Sequence, residues 1–106
     1  MQLLSKSLLA TAFLVATASA IAGGGAEALA QKSGCLLCHS VDKKVLGPAY
    51  KDVAAKYKGD KTAEAKLIQK VKAGGSGAWG DMPMPPNSPQ VKDEDIKTLV
   101  QWVLSL

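Results

Sequence analysis

The sequence predicts an all-α domain in which four or five short helices wrap around a bound group. Apolar residues recur at helical spacing in several separate stretches, and glycine and proline interrupt these stretches at short intervals. No stretch alternates apolar and polar residues as a half-buried strand does, and no internal repeat is found. The chain is also short for a self-sufficient hydrophobic core once an N-terminal leader is taken away. A buried ligand would replace the missing core side chains.

The first 22 residues have the pattern of a secretory signal peptide. A short start with Lys6 leads into an apolar run from residue 8 to residue 18, and small residues follow. Cleavage after Ala20 and cleavage after Ala22 both fit the Ala-x-Ala rule. An uncleaved membrane anchor is the alternative, but the run is shorter than the ~20 residues that a membrane-spanning helix needs. We therefore expect residues 1–22 to be removed on export and residues 23–106 to form one domain.

The charge of the expected mature domain is mildly basic. After the loss of Lys6 with the leader, 12 lysines remain against nine acidic residues, a formal net charge of +3. The chain has no arginine, its lysines are spread among the acids, and it has five aromatic residues. Nucleic-acid binders concentrate cationic side chains around aromatic platforms. The composition therefore predicts no nucleic-acid partner, and most lysines are expected to form a solvated surface.

The first two helices are predicted at residues 26–32 and 49–58. The first consists of strong helix formers and ends at Gly34, which can adopt the left-handed conformation found after helix ends. The three glycines that precede it are expected to form a flexible start. The second carries a helical stripe of apolar side chains, namely Tyr50, Val53, Ala54 and Tyr57.

Two further helices are predicted at residues 63–73 and 93–104. The first of them follows Thr62, a candidate N-cap, and the second begins with three acidic residues and carries an apolar stripe. Ser88 is an alternative start for the last helix. Between the two helices, four prolines within residues 83–89 exclude a helix interior and a paired central strand, so a stiff loop is predicted there.

Residues 35–39, with the sequence Cys-Leu-Leu-Cys-His, form the motif around which the other segments are arranged. Two cysteines at this spacing with a histidine directly after the second are the attachment pattern of a c-type haem. On a helical turn, Cys35 and Cys38 reach the vinyl groups along one porphyrin edge, and the imidazole of His39 lies under the iron. A four-ligand zinc site lacks ligands, because the chain has no other cysteine or histidine. A redox disulfide remains the alternative, although such motifs belong to βαβ contexts that the pattern does not show.

The iron of such a haem would have one more axial position to fill. A second histidine does not exist, so the candidates are Met82, Met84, a lysine or no protein ligand. A neutral thioether favours ferrous iron and raises the reduction potential, and a filled position blocks external ligands. Methionine is unusual as core filler in a proline-rich loop, because such loops lie at the surface. One of the two methionines is therefore expected to serve the iron.

Four separated segments agree in order and spacing with one known family. They are residues 35–39, 45–54, 80–87 and 101–105. Together they resemble the small bacterial class I cytochromes c of the cytochrome c-551 (c8) type. The resemblance implies the class I cytochrome c fold and one haem c, bound through thioethers at Cys35 and Cys38. It also implies His39 and Met84 as axial ligands, because the family methionine lies in a Pro-Met-Pro-Pro-Asn segment, whereas Met82 takes a position that is usually an ordinary apolar residue.

The same resemblance assigns roles to four further residues. Pro48 would accept a hydrogen bond from the ring of His39 through its carbonyl and orient the imidazole. Trp79 would donate its indole N–H to a haem propionate, and Lys70 would lie near the same propionates. Asn87 would hydrogen-bond near the methionine sulfur and steady the loop. Each of three residues also has a simpler alternative role. Trp79 would be buried only for the area of its ring, Lys70 would be an ordinary lysine at the end of a helix, and Asn87 would be a turn residue.

The resemblance further implies a soluble one-electron carrier of the periplasm that is not an enzyme. It would work as a monomer, without stable membrane insertion after leader cleavage. Its donor would be a membrane cytochrome complex, and its acceptor a terminal reductase, oxidase or peroxidase. Lysines such as Lys43, Lys44 and Lys72 would encircle the exposed haem edge and raise encounter rates. A haem-based sensor or a peroxidase-like enzyme with a labile sixth ligand is the alternative, and ready binding of carbon monoxide would favour it.

Overall fold

The computed structural model describes residue 12 and residues 24–106. Apart from residue 12, the predicted leader and both of its cleavage positions lie outside the described residues. The described part contains four α-helices, one turn of 3₁₀ helix and one two-stranded antiparallel ribbon. Over this part, no helix combines the length and the apolar character that crossing a membrane requires. The prediction of a predominantly helical fold is confirmed, and the ribbon is an addition to it.

The helices begin and end close to the predicted residues. They are α1 (Gly24–Lys32), α2 (Tyr50–Lys56), α3 (Ala63–Ala73) and α4 (Asp93–Leu104), with the 3₁₀ turn at Cys35–Leu37. Helices α3 and α4 have the predicted bounds, so the last helix begins at Asp93 and not at Ser88. Helix α1 includes two of the glycines expected to be flexible, because first-turn N–H groups need no partner within the helix. Helix α2 is shorter than predicted at both ends.

Helix α4 supplies the centre of the hydrophobic core. Its buried side chains are Ile96, Leu99, Val100, Trp102 and Val103. Three of these, Leu99, Trp102 and Val103, form one cluster with residues of the other helices. Helix α1 adds the small side chains of Ala26 and Ala30 to it, and α2 adds Tyr50 and Val53. The Tyr50 ring meets Trp102 edge-on, with the ring centroids 5.6 Å apart. Helices α1, α2 and α4 therefore form one packed frame, against which the segment with the cysteines lies.

The prediction of a stiff loop between α3 and α4 was wrong in part, because the first residues of this segment form a two-stranded ribbon. Strand β1 (Gly75–Gly77) pairs antiparallel with β2 (Gly80–Met84), with Gly75 opposite Met84 and an irregularity between the two ladder pairs. Proline fits in β2 because each strand of a two-stranded ribbon has one edge that makes no ladder hydrogen bonds. Gly74, with φ at 71°, turns the chain from α3 into β1, and a Cβ there would collide with the backbone of residues 84–86. This close approach holds the end of β2 against the end of α3.

Candidate functional site

The Cys-Leu-Leu-Cys-His motif follows α1 directly and begins as a turn of 3₁₀ helix. Gly34, in the left-handed conformation that the sequence predicted, ends α1 and leads into this turn. The backbone N–H of His39 donates to the carbonyl of Cys35 at 3.0 Å, so the motif closes on itself. Cys35 and Cys38 are not joined by a disulfide, and both are half-buried. One short stretch thus presents two thiols and one imidazole.

Three neighbours hold the imidazole of His39 in one orientation. Its Nδ1 lies 2.8 Å from the carbonyl oxygen of Pro48 and donates to it, because a carbonyl can only accept. The Tyr50 ring stacks on the imidazole at a centroid distance of 4.8 Å and an interplanar angle of 19°. On another side, a Cβ on Gly47 would lie 2.5 Å from ring atom Cε1, so only glycine fits there. With Nδ1 engaged, the lone pair of Nε2 remains for a metal.

Gly47 and Tyr50 were not among the predicted site residues. Tyr50 was placed on the apolar stripe of α2, and Gly47 only within the segment 45–54 that carries the resemblance. The signal that could have found them is their position on either side of Pro48 and Ala49, directly before α2. A segment whose proline carbonyl meets the imidazole brings its neighbours against the same ring.

A cleft with two lobes lies beside His39. Their cavity volumes are about 110 Å³ and about 90 Å³. Four predicted site residues line both lobes, namely His39, Lys70, Trp79 and Met84. Cys38 and Pro48 line one lobe, and Cys35 lines the other. The fold therefore gathers residues from the motif, from α3 and from the ribbon around one cleft.

The two methionines of β2 differ in their surroundings. Met82 is 61% exposed and lines one lobe, whereas Met84 is partly buried and lines both. Met84 also forms a ladder pair with Gly75, next to the tight turn at Gly74. Of the two thioethers, that of Met84 is the one held toward the interior of the cleft.

Asn87 lies outside the residues that line the two lobes. Its side-chain Nδ2 donates to the carbonyls of Val71 at 3.1 Å and Pro85 at 3.2 Å. Its backbone N–H donates to the Val71 carbonyl at 3.0 Å. Asn87 thus fastens the segment that follows Met84 to the last turn of α3.

The lysines expected around the site have different surroundings. Lys72 forms a salt bridge with Asp93 at 3.1 Å, which joins the end of α3 to the start of α4. Lys43 and Lys44 are exposed, and Lys44 lies in an isolated backbone bridge with His39. The pair next to the motif therefore presents its charge to solvent, whereas the charge of Lys72 is partly neutralised.

The donor set and the lining fit a haem bound through thioethers. The cleft is lined by two cysteines that form no disulfide, by an imidazole whose Nδ1 is already bonded, and by a thioether side chain. Large apolar side chains are exposed around the cleft, with Leu46 at 54% and Trp79 at 42%. A flat apolar ring would cover this surface. Among the described residues, no group of three or more His, Cys, Asp or Glu side chains could hold a metal ion.

Comparisons with known proteins agree with this geometry. The family model for cytochrome c matches residues 25–106. The chain is 62% identical to cytochrome c-551 of Allochromatium vinosum over 78 residues, which cover 74% of this chain and 82% of that protein. It is 50% identical to cytochrome c-551 of Pseudomonas aeruginosa over 96 residues, which cover 87% and 90% of the two chains.

Solved structures show the same similarity. The crystal structure of wild-type Nitrosomonas europaea cytochrome c552 is 50% identical, with a TM-score of 0.72, and the match covers 76% of this chain and 98% of that one. The class 1 cytochrome MtoD from Sideroxydans lithotrophicus ES-1 is 41% identical, with a TM-score of 0.66 and coverage of 76% and 90%. Residues 25–106, which the family model matches, include every residue that lines the cleft and all but the first residue of the four helices.

Proposed function

Because the chain belongs to the cytochrome c family, we propose that it is a soluble periplasmic carrier that passes single electrons from a membrane-bound donor to a terminal reductase or oxidase. Membership of the family makes it an electron-transfer protein with covalently bound haem c, and not an enzyme. The haem iron supplies the one-electron change between the ferric and ferrous states. The observation that carries the proposal is one cleft that holds a fixed imidazole and a partly buried thioether. The chain's own residues do the remaining work.

On one side of the cleft, Cys35 and Cys38 are the proposed attachment points and His39 the proposed ligand. The carbonyl of Pro48 makes the imidazole a better electron donor by accepting its Nδ1–H at 2.8 Å. Stacking by Tyr50 prevents the ring from turning about its bond to the chain. An imidazole restrained in this way would keep its position when the haem iron changes between the ferric and ferrous states.

On the other side, Met84 is the proposed second ligand, because it lines both lobes and is more buried than Met82. Trp79 and Lys70 also line both lobes, and each carries an N–H donor that can bind a propionate. Asn87 keeps the segment after Met84 on α3 through its two bonds to carbonyls. His39 and Met84 would hold the haem iron, and an iron held by two side chains would exchange single electrons without binding external ligands.

The compartment and the partners are the finer part of the proposal. Residues 1–22 carry the pattern of an export signal, and haem is attached to cysteines in this way outside the cytoplasm. Lys43 and Lys44 present positive charge beside the motif, which suits transient contact with an acidic rim on a redox partner. An intact mass of protein prepared from the periplasm would show one haem and a chain that starts after Ala20 or after Ala22.

The two methionines offer the sharpest test. In the holoprotein, Met84→Ala removes the sulfur-to-iron absorption band, whereas Met82→Ala leaves it in place, because only the first change removes the proposed ligand. The native ferrous protein stays six-coordinate and low-spin when carbon monoxide is added. The reverse pattern for the two variants would overturn the ligand assignment, and ready binding of carbon monoxide would favour a sensor or a peroxidase-like enzyme.

A further inference from the structure

Lys56, the last residue of α2, reaches the turn of the ribbon that ends in Met84. Its Nζ lies 4.8 Å from the centroid of the Trp79 ring, within the distance of a cation–π interaction. The same Nζ donates to the carbonyl oxygen of Ala78 at 3.3 Å. Ala78 and Trp79 are the two residues between β1 and β2. One side chain therefore engages the whole turn, through a ring face and through a carbonyl.

The other attachments of the ribbon lie mainly on α3. At its base, the N–H of Gly74 donates to the Lys70 carbonyl at 2.7 Å, and that of Asn87 donates to the Val71 carbonyl at 3.0 Å. Farther along, the Nζ of Lys70 reaches the Ser76 carbonyl at 3.5 Å, the limit of a hydrogen bond. Strand β1 is exposed at every position, and β2 at all positions except Met84. Apolar packing against the helices therefore contributes little to keeping the turn in place.

The contact of Lys56 differs from these contacts because Lys56 belongs to α2, a helix of the packed frame. Helix α2 also carries Tyr50, whose ring stacks on His39. The contact of Lys56 thus joins the side of the cleft that holds the imidazole to the tip of the ribbon that holds the thioether. It also keeps Trp79, which lines both lobes, close to α2.

We propose that Lys56 is a positioning residue that fastens the tip of the ribbon across the cleft and so limits how often Met84 moves away from its place. The part about Met84 rests on the proposed ligation, whereas the fastening of the ribbon does not. A cation over an exposed aromatic ring attracts it only weakly, so the contact opens and closes without unfolding the protein. Its loss changes the frequency of opening and leaves the fold intact.

Three variants of the holoprotein test this role. Lys56→Gln removes the cation but keeps an N–H donor, and Lys56→Arg keeps both the charge and the affinity for an aromatic face. Lys58→Gln is the matched control, because it removes an equal charge from an exposed position just beyond the end of α2.

The first measurement is hydrogen exchange of the Trp79 indole N–H and of the backbone amides at residues 75–84, followed by NMR. Lys56→Gln speeds this exchange by about two- to five-fold, the factor that corresponds to an exposed cation–π contact. Lys56→Arg and Lys58→Gln exchange at the native rate. Exchange of the α4 amides stays at the native rate in all three variants, since Lys56 does not touch the core centred on that helix.

The second measurement is the rate at which imidazole binds to the ferric holoprotein, which requires the sixth ligand to leave. That rate rises by about the same two- to five-fold in Lys56→Gln alone. Unchanged exchange of the ribbon in Lys56→Gln, or equal acceleration in Lys58→Gln, would overturn the proposal. If Met84→Ala kept the sulfur-to-iron band, the ligand assignment would fail, but the exchange of residues 75–84 would still decide the role of Lys56.

Discussion

The packed frame of α1, α2 and α4 and the ribbon of β1 and β2 hold two sides of the same cleft by different physical means. In the frame, apolar burial does the work, and Ile96 on α4 is 0% exposed. The ribbon packs few side chains against the helices and is fastened to them by a few polar contacts near its base and its tip. His39 is therefore fixed by the same packing that forms the fold, whereas the position of Met84 depends on contacts that can break one at a time.

The ribbon and the frame are expected to differ in how often they open. Regions with few buried apolar contacts open locally at a lower free energy than the core does. The ribbon is expected to open far more often than the frame, and ligand exchange at the iron should follow the ribbon. Four substitution experiments separate the two regions.

The largest effect is expected in the frame. Ile96→Ala leaves a cavity beneath α4 and should lower the free energy of unfolding by about 2–5 kcal/mol. Asp81→Ala removes an exposed side chain of β2 that lines neither lobe of the cleft, and should change it by no more than about 0.5 kcal/mol. Chemical denaturation of both holoproteins measures the difference. Equal losses would mean that the ribbon is as much a part of the core as α4.

The junction between α3 and the ribbon comes next. Gly74 and Gly59 both have positive φ, at 71° and 78°, but a Cβ on Gly74 would collide with residues 84–86, whereas a Cβ on Gly59 meets nothing within 4 Å. Gly59→Ala should therefore cost only the left-handed strain of about 1–2 kcal/mol. Gly74→Ala should cost about 1–3 kcal/mol more, because backbone must move to make room. Chemical denaturation of the two variants measures the free energy of unfolding that each has lost. Equal losses would show that the close approach at Gly74 does not hold the ribbon.

A smaller effect is expected from the side chain that fastens the base. Asn87→Ala removes two hydrogen bonds to carbonyls and should cost about 1–2 kcal/mol. Gln101→Ala removes one exposed hydrogen bond, to Glu64 at 2.9 Å, and should cost about 0.5 kcal/mol or less. Asn87→Ala should also speed amide exchange at residues 75–84, which Gln101→Ala should not. If both variants behaved alike, the polar fastening at Asn87 would be irrelevant to the ribbon.

The smallest effect is expected in the pH dependence of stability, through the carboxyl of Asp60. Asp60 accepts hydrogen bonds from the backbone N–H of Thr62 at 2.8 Å and from its hydroxyl at 2.6 Å, and these bonds lower the pKa of Asp60 below its ordinary value. A lowered pKa contributes stability above the pKa of the unfolded chain, and this contribution is lost as the pH falls through the pKa of the folded protein. The bonds of Asn87 to carbonyls have no such dependence.

An NMR titration of Asp60 is the direct check, together with unfolding of the native protein and of Asp60→Asn at several pH values. The stability difference between the two proteins should narrow as the pH falls below the ordinary value for an aspartate. A carboxyl that titrates at or above that value would contradict the role of the two Thr62 bonds.

Where the helices begin and end was largely predictable from local signals. Helix α3 ends at the predicted residue because Gly74 follows it. Its first residue is also the predicted one, although Thr62 does not act as the predicted cap, because its hydroxyl bonds Asp60 and makes no bond to the helix. Helix α4 has the predicted bounds because three acids precede its apolar stripe. The ribbon was missed because its glycines and prolines have no alternating pattern, and pairing across a turn depends on the partner strand.

The sequence by itself determined the chemistry of residues 35–39, since two thiols and an imidazole on adjacent positions of one turn need nothing from the rest of the chain. Residue reasoning alone left Met82 and Met84 open, and only the resemblance chose between them. Tertiary structure decided which of the two lies farther inside the cleft, and that Tyr50 stacks on the imidazole. Local propensities act over a few residues, whereas the meeting of distant segments depends on burial that outweighs the entropy of closing the chain between them.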